Sequence, residues 1–383
     1  MKKFLACFLA LIMVLSCVSL LASCKTDKGT EIALITDKGN IDDKSFNQGA
    51  WEGVVAYADA HKISHQYYKP EDANDDAYFN SIELAIKGGA KVVVTPGYLF
   101  EVAVYNAQTK YPDVRFVLLD GSPHSAGKDP VYKTEKNTAS IMYAEEESGF
   151  LAGYAAVKDG YRKLGFMGGM AVPAVQAFGY GYLQGIEAAA KDLNLEDGAI
   201  DVKYHYTGDF AENDTNKATA KAMYQNGTEI IFGCGGSVGK SVMAAAREAN
   251  KKVIGVDVDQ RYDDETVVTS ATKGLAASVQ AVLASIYESK DFETKYGGKT
   301  TTFKAANNGV GLPTTVIGQP EGNAFDRFKT FDKAAYDQVF ATLANGTVKP
   351  IRTFTVADAT GIATAAELTS ALSLKKVVVE VIK

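Results

Sequence analysis

The chain has 383 residues, 46% hydrophobic and 22% charged, with a formal charge of −6 at pH 7. That length suits one or two globular domains with a large core. An acidic balance without basic clusters argues against nucleic acid polymers as partners.

The chain opens "MKKFLACFLALIMVLSCVSLLASCKTDKGT". Lys2 and Lys3 make a positive start, Phe4 to Leu21 is apolar and uncharged, and small residues follow, the pattern of a secretory signal. An uncleaved anchor is the alternative, since about 18 apolar residues nearly span a bilayer. Leu21-Ala22-Ser23-Cys24 is similar to the lipobox of bacterial lipoproteins, cut before a cysteine that then carries the lipid. Val14-Leu15-Ser16-Cys17 fits less well, because Leu15 is bulky where a small residue is preferred. The expected division is a leader over 1–23 and a lipidated tether over 24–30. Losing Lys2 and Lys3 with the leader takes the formal charge from −6 to −8. Cys7 and Cys17 leave with the leader and Cys24 is acylated, so of the four cysteines Cys234 alone remains free. The mature chain is expected at the cell membrane, outside the cytoplasm, without a disulfide framework.

After Thr30, strand and helix patterns alternate. "EIALITDKG" (31–39) reads as a strand, and "KSFNQGAWEGVVAYADA" (44–60) carries apolar residues at helical spacing. Strand "HQYYKP", helix "DAYFNSIELAIKGGA", strand "KVVVTPG", helix "LFEVAVYNAQTKY" and strand "VRFVLLDGSP" complete a βαβαβαβ series. A second series begins with "TASIMYAEEESGFLAGYAAVKDG", a strand and then a helix. It continues through strand 163–170, helix 174–193, strand 201–210, helix 214–227, strand "EIIFGCGG", helix "VGKSVMAAAREAN" and strand 251–260. Strand "TVVTSATK", helix "GLAASVQAVLASIYESK" and strand "TFKAANNGVGLP" follow. The expected fold is α/β, two doubly wound parallel-sheet lobes joined by a hinge. Ligands of such sheets bind outside the carboxyl ends of the strands, so facing lobes make a cleft.

"GCGGSVGKS" (233–241) comes close to a phosphate-binding loop but misses by one residue, since Cys234 stands where the leading glycine belongs. ATP is scarce outside the cell membrane, so an ATP site is not expected. Gly235 and Gly236 would instead let backbone approach a ligand closely, and Lys240 is read as a residue of the helix's first turn. Asp37, Asp120 and Asp257 each follow a strand. A single aspartate there is common turn chemistry, but three suit a cleft that accepts hydrogen bonds from neutral hydroxyls, each contributing roughly 1.5–3 kcal/mol. A polyhydroxylated ligand fits better than an anion. Phe210 lies in the polar loop "YTGDFAEND", where an exposed ring has little structural use. Phe46 and Asn47 open a helix, where core and polar-surface roles remain alternatives. Lys273 in "SATKG" is either a ligand donor or a solvated lysine.

No HExxH or clustered Cys/His pattern occurs, and His61, His65, His124 and His205 are scattered. The expectation is therefore no enzyme, no metal and no cofactor.

Together "LITDKGNIDDKSFNQGAWEGV", "GFMGGM", "TGDF", "VIGVDVDQ" and "VVTSATKG" resemble the basic membrane protein family, lipid-anchored substrate-binding proteins of ABC transporters similar to purine nucleoside receptors. The resemblance runs from about residue 31 to 350. It implies a type I periplasmic-binding-protein fold, with two lobes joined by three crossovers. It also implies a monomer that hands guanosine, adenosine or inosine to a membrane permease. By that resemblance Phe46 and Phe210 stack on the base, and Asn47 bonds it with Asp37 nearby. Asp120, Asp257 and Lys273 hold the ribose, with Gly235 and Gly236 behind; Asp259 is the neighbouring candidate for the place of Asp257. A sugar or furanose receptor on the same fold is the alternative. The lobes are expected as 31–142 plus about 272–320, and 143–271 plus about 321–350. The extension 351–383, beyond the family's usual end at "NGTVKP", is assigned to neither.

Overall fold

Aliphatic runs such as "IALI" and "VVVTP" form strands buried along their whole length in this computed structural model, which describes residues 29–382. Continuous apolar strands of this kind belong to parallel sheets covered on both faces. The leader 1–23, Cys24 and most of the tether lie outside the described residues. No described helix is long and apolar enough to cross a membrane.

The strands run β1 (Ile32–Ile35), β2 (His65–Tyr68), β3 (Val92–Pro96), β4 (Arg115–Leu119), β5 (Thr138–Tyr143), β6 (Lys163–Gly168) and β7 (Ile200–Tyr206). They continue as β8 (Ile230–Cys234), β9 (Lys252–Asp257), β10 (Val267–Lys273), β11 (Lys299–Phe303), β12 (Val310–Gly311) and β13 (Val377–Ile382). The first eight α-helices among the described residues are α1 (Phe46–His61), α2 (Asp75–Lys87), α3 (Glu101–Lys110), α4 (Glu145–Lys158), α5 (Pro173–Asp192), α6 (Asp214–Gln225), α7 (Val238–Ala249) and α8 (Leu275–Tyr287).

One sheet has the order β2-β1-β3-β4-β5-β11, all parallel. The other runs β13-β7-β6-β8-β9-β10-β12, parallel except where the short β12 pairs antiparallel with β10. Strand order reverses between β1 and β3 in one lobe and between β6 and β8 in the other, the two switch points where a crevice opens. This is the two-lobe periplasmic-binding-protein type of fold. The chain passes between lobes three times, from β5 to α4, from β10 to α8, and from β11 to β12. After the second passage α8 packs on α1 so closely that a Cβ on Gly53 would fall 2.7 Å from Ala276 Cα.

"TFKAANNGVGLP" is not one strand. A 3₁₀ turn at Ala305–Asn307 and a left-handed Asn308 (φ 55°) break it, and the chain changes sheets there. Residues 310–311, expected with the first lobe, therefore pair in the second sheet. The C-terminal segment adds a helix at Ala365–Ala371 and β13, which runs parallel beside β7.

In the second lobe, α4 and α5 approach backbone to backbone. A Cβ on Gly149 or Gly153 would come within 2.1 or 2.2 Å of a carbonyl oxygen of α5. One on Gly181 or Gly185 would come within 2.0 Å of a carbonyl of α4. Glycine is the residue that permits this contact, and the contact fixes the start of α4 beside the cleft.

Candidate ligand-binding cleft

The carboxyl ends of both sheets face one another across a cavity of about 800 Å³, its open mouth included. Asp37 follows β1 and Asp120 follows β4, while Gly235 and Gly236 follow β8, and Asp257 and Lys273 close β9 and β10. All nine residues singled out from the sequence line this cavity: Asp37, Phe46, Asn47, Asp120, Phe210, Gly235, Gly236, Asp257 and Lys273. Asp259 does not, being held by Arg261.

The Asp37 end is a local network. Asp43 accepts from the backbone N–H groups of Ser45, Asn47 and Gln48 at 2.8, 3.0 and 3.1 Å, capping α1. Asn47 is buried and both N–H bonds of its amide are engaged. Its Nδ2 donates to Asp37 Oδ1 (2.8 Å) and Asp43 Oδ2 (2.9 Å), and its Oδ1 accepts from Asp37 N (3.1 Å). Asp37 Oδ1 also accepts from Gly39 N at 2.7 Å. Burial pushes the Asp37 carboxyl up to about 6, although Gly39 and Asn47 pull it back. Asn47 thus orients Asp37, which keeps acceptor capacity for a ligand.

The Lys273 end is a knot of buried charge. Lys273 Nζ is paired with Asp120 Oδ2 and lies 3.2 Å from Glu145 Oε1 and 3.8 Å from Asp257 Oδ1. It also sits over the Phe46 and Phe178 rings, 4.8 and 5.2 Å from their centroids. Burial alone would lower the Lys273 ammonium, but the carboxylates of Asp120, Glu145 and Asp257 raise it, so it stays charged. Burial pushes Asp120 up to about 7 against the Lys273 charge. Asp120 Oδ1 is buried and has no hydrogen-bond partner among the described residues. Asp120 and Asp257 both hold left-handed backbone, φ 54° and 65°. That conformation strains a non-glycine residue and clusters at ligand sites.

The lobes touch across the cleft mouth. Ser45 Oγ donates to Asp257 Oδ2 at 2.5 Å, Gln260 Nε2 to the Lys44 carbonyl at 2.7 Å, and Lys240 Nζ to the Asp42 carbonyl at 2.9 Å. Lys240, third residue of α7, thus reaches to the other lobe, and the glycines before it pack against Phe210. A Cβ on Gly235 would lie 3.4 Å from that ring, and one on Gly169 would collide with it at 2.4 Å. The free Cys234 thiol is buried in the lining, and burial pushes its pKa well up.

Sequence reasoning missed Asp43, Tyr98, Glu145, Phe178 and Arg352, which also line the cavity. Asp43 carried a signal, an acid just before a helix start. Glu145 sat in a run of three acids at a first helical turn, which reads as ordinary helix-dipole complementarity. Nothing in the sequence brings Arg352 to the site.

Residues 30–342 match the family model described as Bmp, ABC transporter substrate-binding protein PnrA-like. The chain is 30% identical over 332 residues to the ABC transporter nucleoside-binding protein BmpA of Lactococcus lactis subsp. cremoris, covering 78% of this chain and 88% of that one. It is 29% identical to basic membrane protein A of Borreliella burgdorferi, covering 85% and 91%. Among solved structures, an ABC transporter solute-binding protein from Aeropyrum pernix K1 aligns with a TM-score of 0.70 at 21% identity, covering 85% and 94%. That last likeness is one of fold.

Proposed function

The chain belongs to the PnrA-like family of ABC transporter substrate-binding proteins, and from that premise we propose that it captures nucleosides, purine nucleosides above all, and delivers them to a membrane permease. The observation that carries the reading is Asp120, which lines the cavity and whose buried Oδ1 has no donor among the described residues. A buried acceptor of this kind calls for a neutral hydroxyl or N–H from a ligand. The lining sets five carboxylates (Asp37, Asp43, Asp120, Glu145 and Asp257) against two cations, Lys273 and Arg352. That balance disfavours a phosphate, so a nucleoside suits the cleft better than a nucleotide.

Phe46 and Phe210, one from each lobe, stack on the two faces of the base. Asp37 accepts from the base edge, held in place by Asn47. Asp120, Asp257 and Lys273 take the ribose hydroxyls, with Gly235 and Gly236 giving backbone close approach. Chemistry is not part of this role; the protein binds, closes and releases. The similarity to a nucleoside-binding BmpA supports the ligand class. We further propose that cleavage before Cys24 leaves a lipid-anchored monomer on the outer side of the cell membrane. Labelled palmitate fed to the cells should mark the wild-type protein and not Cys24→Ser, and an unlabelled wild type would contradict the anchor.

Thermal denaturation tests the ligand class. The mature chain, stripped of carried-over ligand by unfolding and refolding, should gain about 2.7 kcal/mol of stability from inosine at 100 times its Kd. Ribose or inosine monophosphate at the same concentration should give much less. A ribose response equal to that of inosine would move the protein to the sugar receptors.

A further inference from the structure

The family match ends at residue 342, yet Arg352, ten positions further on, lines the cavity. Its Nη1 faces the Tyr143 carbonyl at 2.8 Å and Glu146 Oε2 at 2.7 Å, and it contacts Glu145 Oε2. These acceptors lie at the end of β5 and the start of α4, the first passage between lobes. The other oxygen of Glu145 faces Lys273, at the second passage, and Lys273 holds Asp120 of the first lobe. One line of alternating charge therefore runs from the C-terminal segment to the ligand acceptor: Arg352, Glu145, Lys273, Asp120.

The segment is anchored along one face of α5. Gln184 exchanges two hydrogen bonds with the backbone of Ile351, at 2.8 and 2.9 Å, directly before the arginine. The Tyr180 ring packs on Phe354 with centroids 4.7 Å apart. Gln176 Nε2 donates to the Gly361 carbonyl at 2.7 Å, and Glu187 Oε2 accepts from Lys375 N and Lys376 N at 3.0 and 2.8 Å. Positions 176, 180, 184 and 187 share one helical face, so α5 grips the chain on both sides of Arg352.

Glu145 is wholly buried, and a buried carboxylate left with too little opposing charge pulls on whatever cation is near. With Lys273 as sole partner, it would draw that ammonium away from Asp120. We infer that Arg352 is a positioning residue for ligand binding, which offsets the charge of Glu145 and so leaves Lys273 to hold Asp120 with its free oxygen toward the ligand. Burial would raise the Glu145 carboxyl, but Lys273 and Arg352 outweigh it and hold it below the usual range. The other charged groups facing Glu145 are Asp120, Asp257 and Glu146, with the neutral Tyr143 and Cys234 alongside.

The inference rests on the nucleoside-receptor reading, and the test separates the two. Melting of the ligand-free mature chain and its affinity for inosine are followed from pH 6 to 8.5 in wild type, Arg352→Met, Arg352→Lys and Arg352→Met with Glu145→Gln. Relative to wild type, Arg352→Met should lose about tenfold in affinity at pH 8, the equivalent of one pKa unit, and less as acidification neutralises Glu145. Its melting deficit should shrink with acidification in the same way. Arg352→Lys should stay near wild type, and adding Glu145→Gln should remove the pH-dependent part of both defects. A deficit equal at every pH, or one that Glu145→Gln leaves in place, would make Arg352 a packing residue and overturn the inference. If wild type binds no inosine, the function reading falls, and the ligand-free melting series still decides the role of Arg352.

Discussion

At the Asp37 end of the cleft the hydrogen bonds that set the site are made within twelve residues of chain, 37 to 48. At the Lys273 end, charges from positions 120, 145, 257, 273 and 352 meet from both lobes and the C-terminal segment. The first end is a helix cap that also aims a carboxylate. The second exists only once both sheets have formed and the chain has crossed between them. They also differ energetically: hydrogen bonds can be lost singly at modest cost, whereas removing one member of a buried charge knot leaves the others uncompensated.

Mutations should separate the two ends in that order. Lys273→Met leaves Asp120 and Asp257 without their cation and should destabilise the fold by about 3–5 kcal/mol, read by chemical denaturation. A loss below about 1 kcal/mol would mean that the carboxylates take up protons without penalty. Asp37→Asn keeps the shape of the cap and should weaken nucleoside binding by roughly 1.5–3 kcal/mol with little change in melting. A large fall in stability would put Asp37 in the same class as Lys273 and erase the contrast. Phe210→Ala should weaken binding by about 1–3 kcal/mol in a folded protein, and unchanged affinity would refute stacking.

Acidity should act with opposite signs on binding and on the empty protein. Asp37 at about 6 and Asp120 at about 7 take up protons as the pH falls, and a protonated carboxyl loses its charge and turns one oxygen into a donor. Affinity for inosine should therefore decline from pH 8 to 5, by up to about tenfold per pH unit for each group below its pKa. Asp37→Asn should abolish the lower part of that decline. The folded values exceed the ordinary 3.8, so the folded state binds more protons than the unfolded chain over the window between. What these two groups contribute to stability is lost as pH rises through that window and regained on acidification. An affinity flat from pH 8 to 5 would exclude both carboxylates as charged acceptors. The smallest effect is expected from Lys240→Met, which removes one hydrogen bond between the lobes, about 0.5–1 kcal/mol. Loss of all binding would mean that Lys240 touches the ligand.

What could be read from the sequence follows the same division. The strand runs, the glycine turn after β8 and the "NIDDKSFNQ" helix start are local patterns, and the acids at strand ends follow from topology once a parallel sheet is accepted. Arg352 could not be read, because its place depends on Gln184 gripping Ile351 across 167 positions of chain. Glu145 was hidden because three acids at a first helical turn already have a sufficient explanation. The hydrogen bonds of Asn47 are hidden too: the resemblance implies that it bonds the base, and the geometry gives its two N–H bonds to Asp37 and Asp43. The break in "TFKAANNGVGLP" was written in Asn-Asn-Gly, which favours a turn.

Calorimetric titration of the refolded mature chain with guanosine, adenosine, inosine, uridine and ribose tests the central claim most directly. The account predicts one-to-one binding that is tightest for the purine nucleosides and weak for ribose. Ribose binding as tight as inosine, or no binding by any nucleoside, would contradict it.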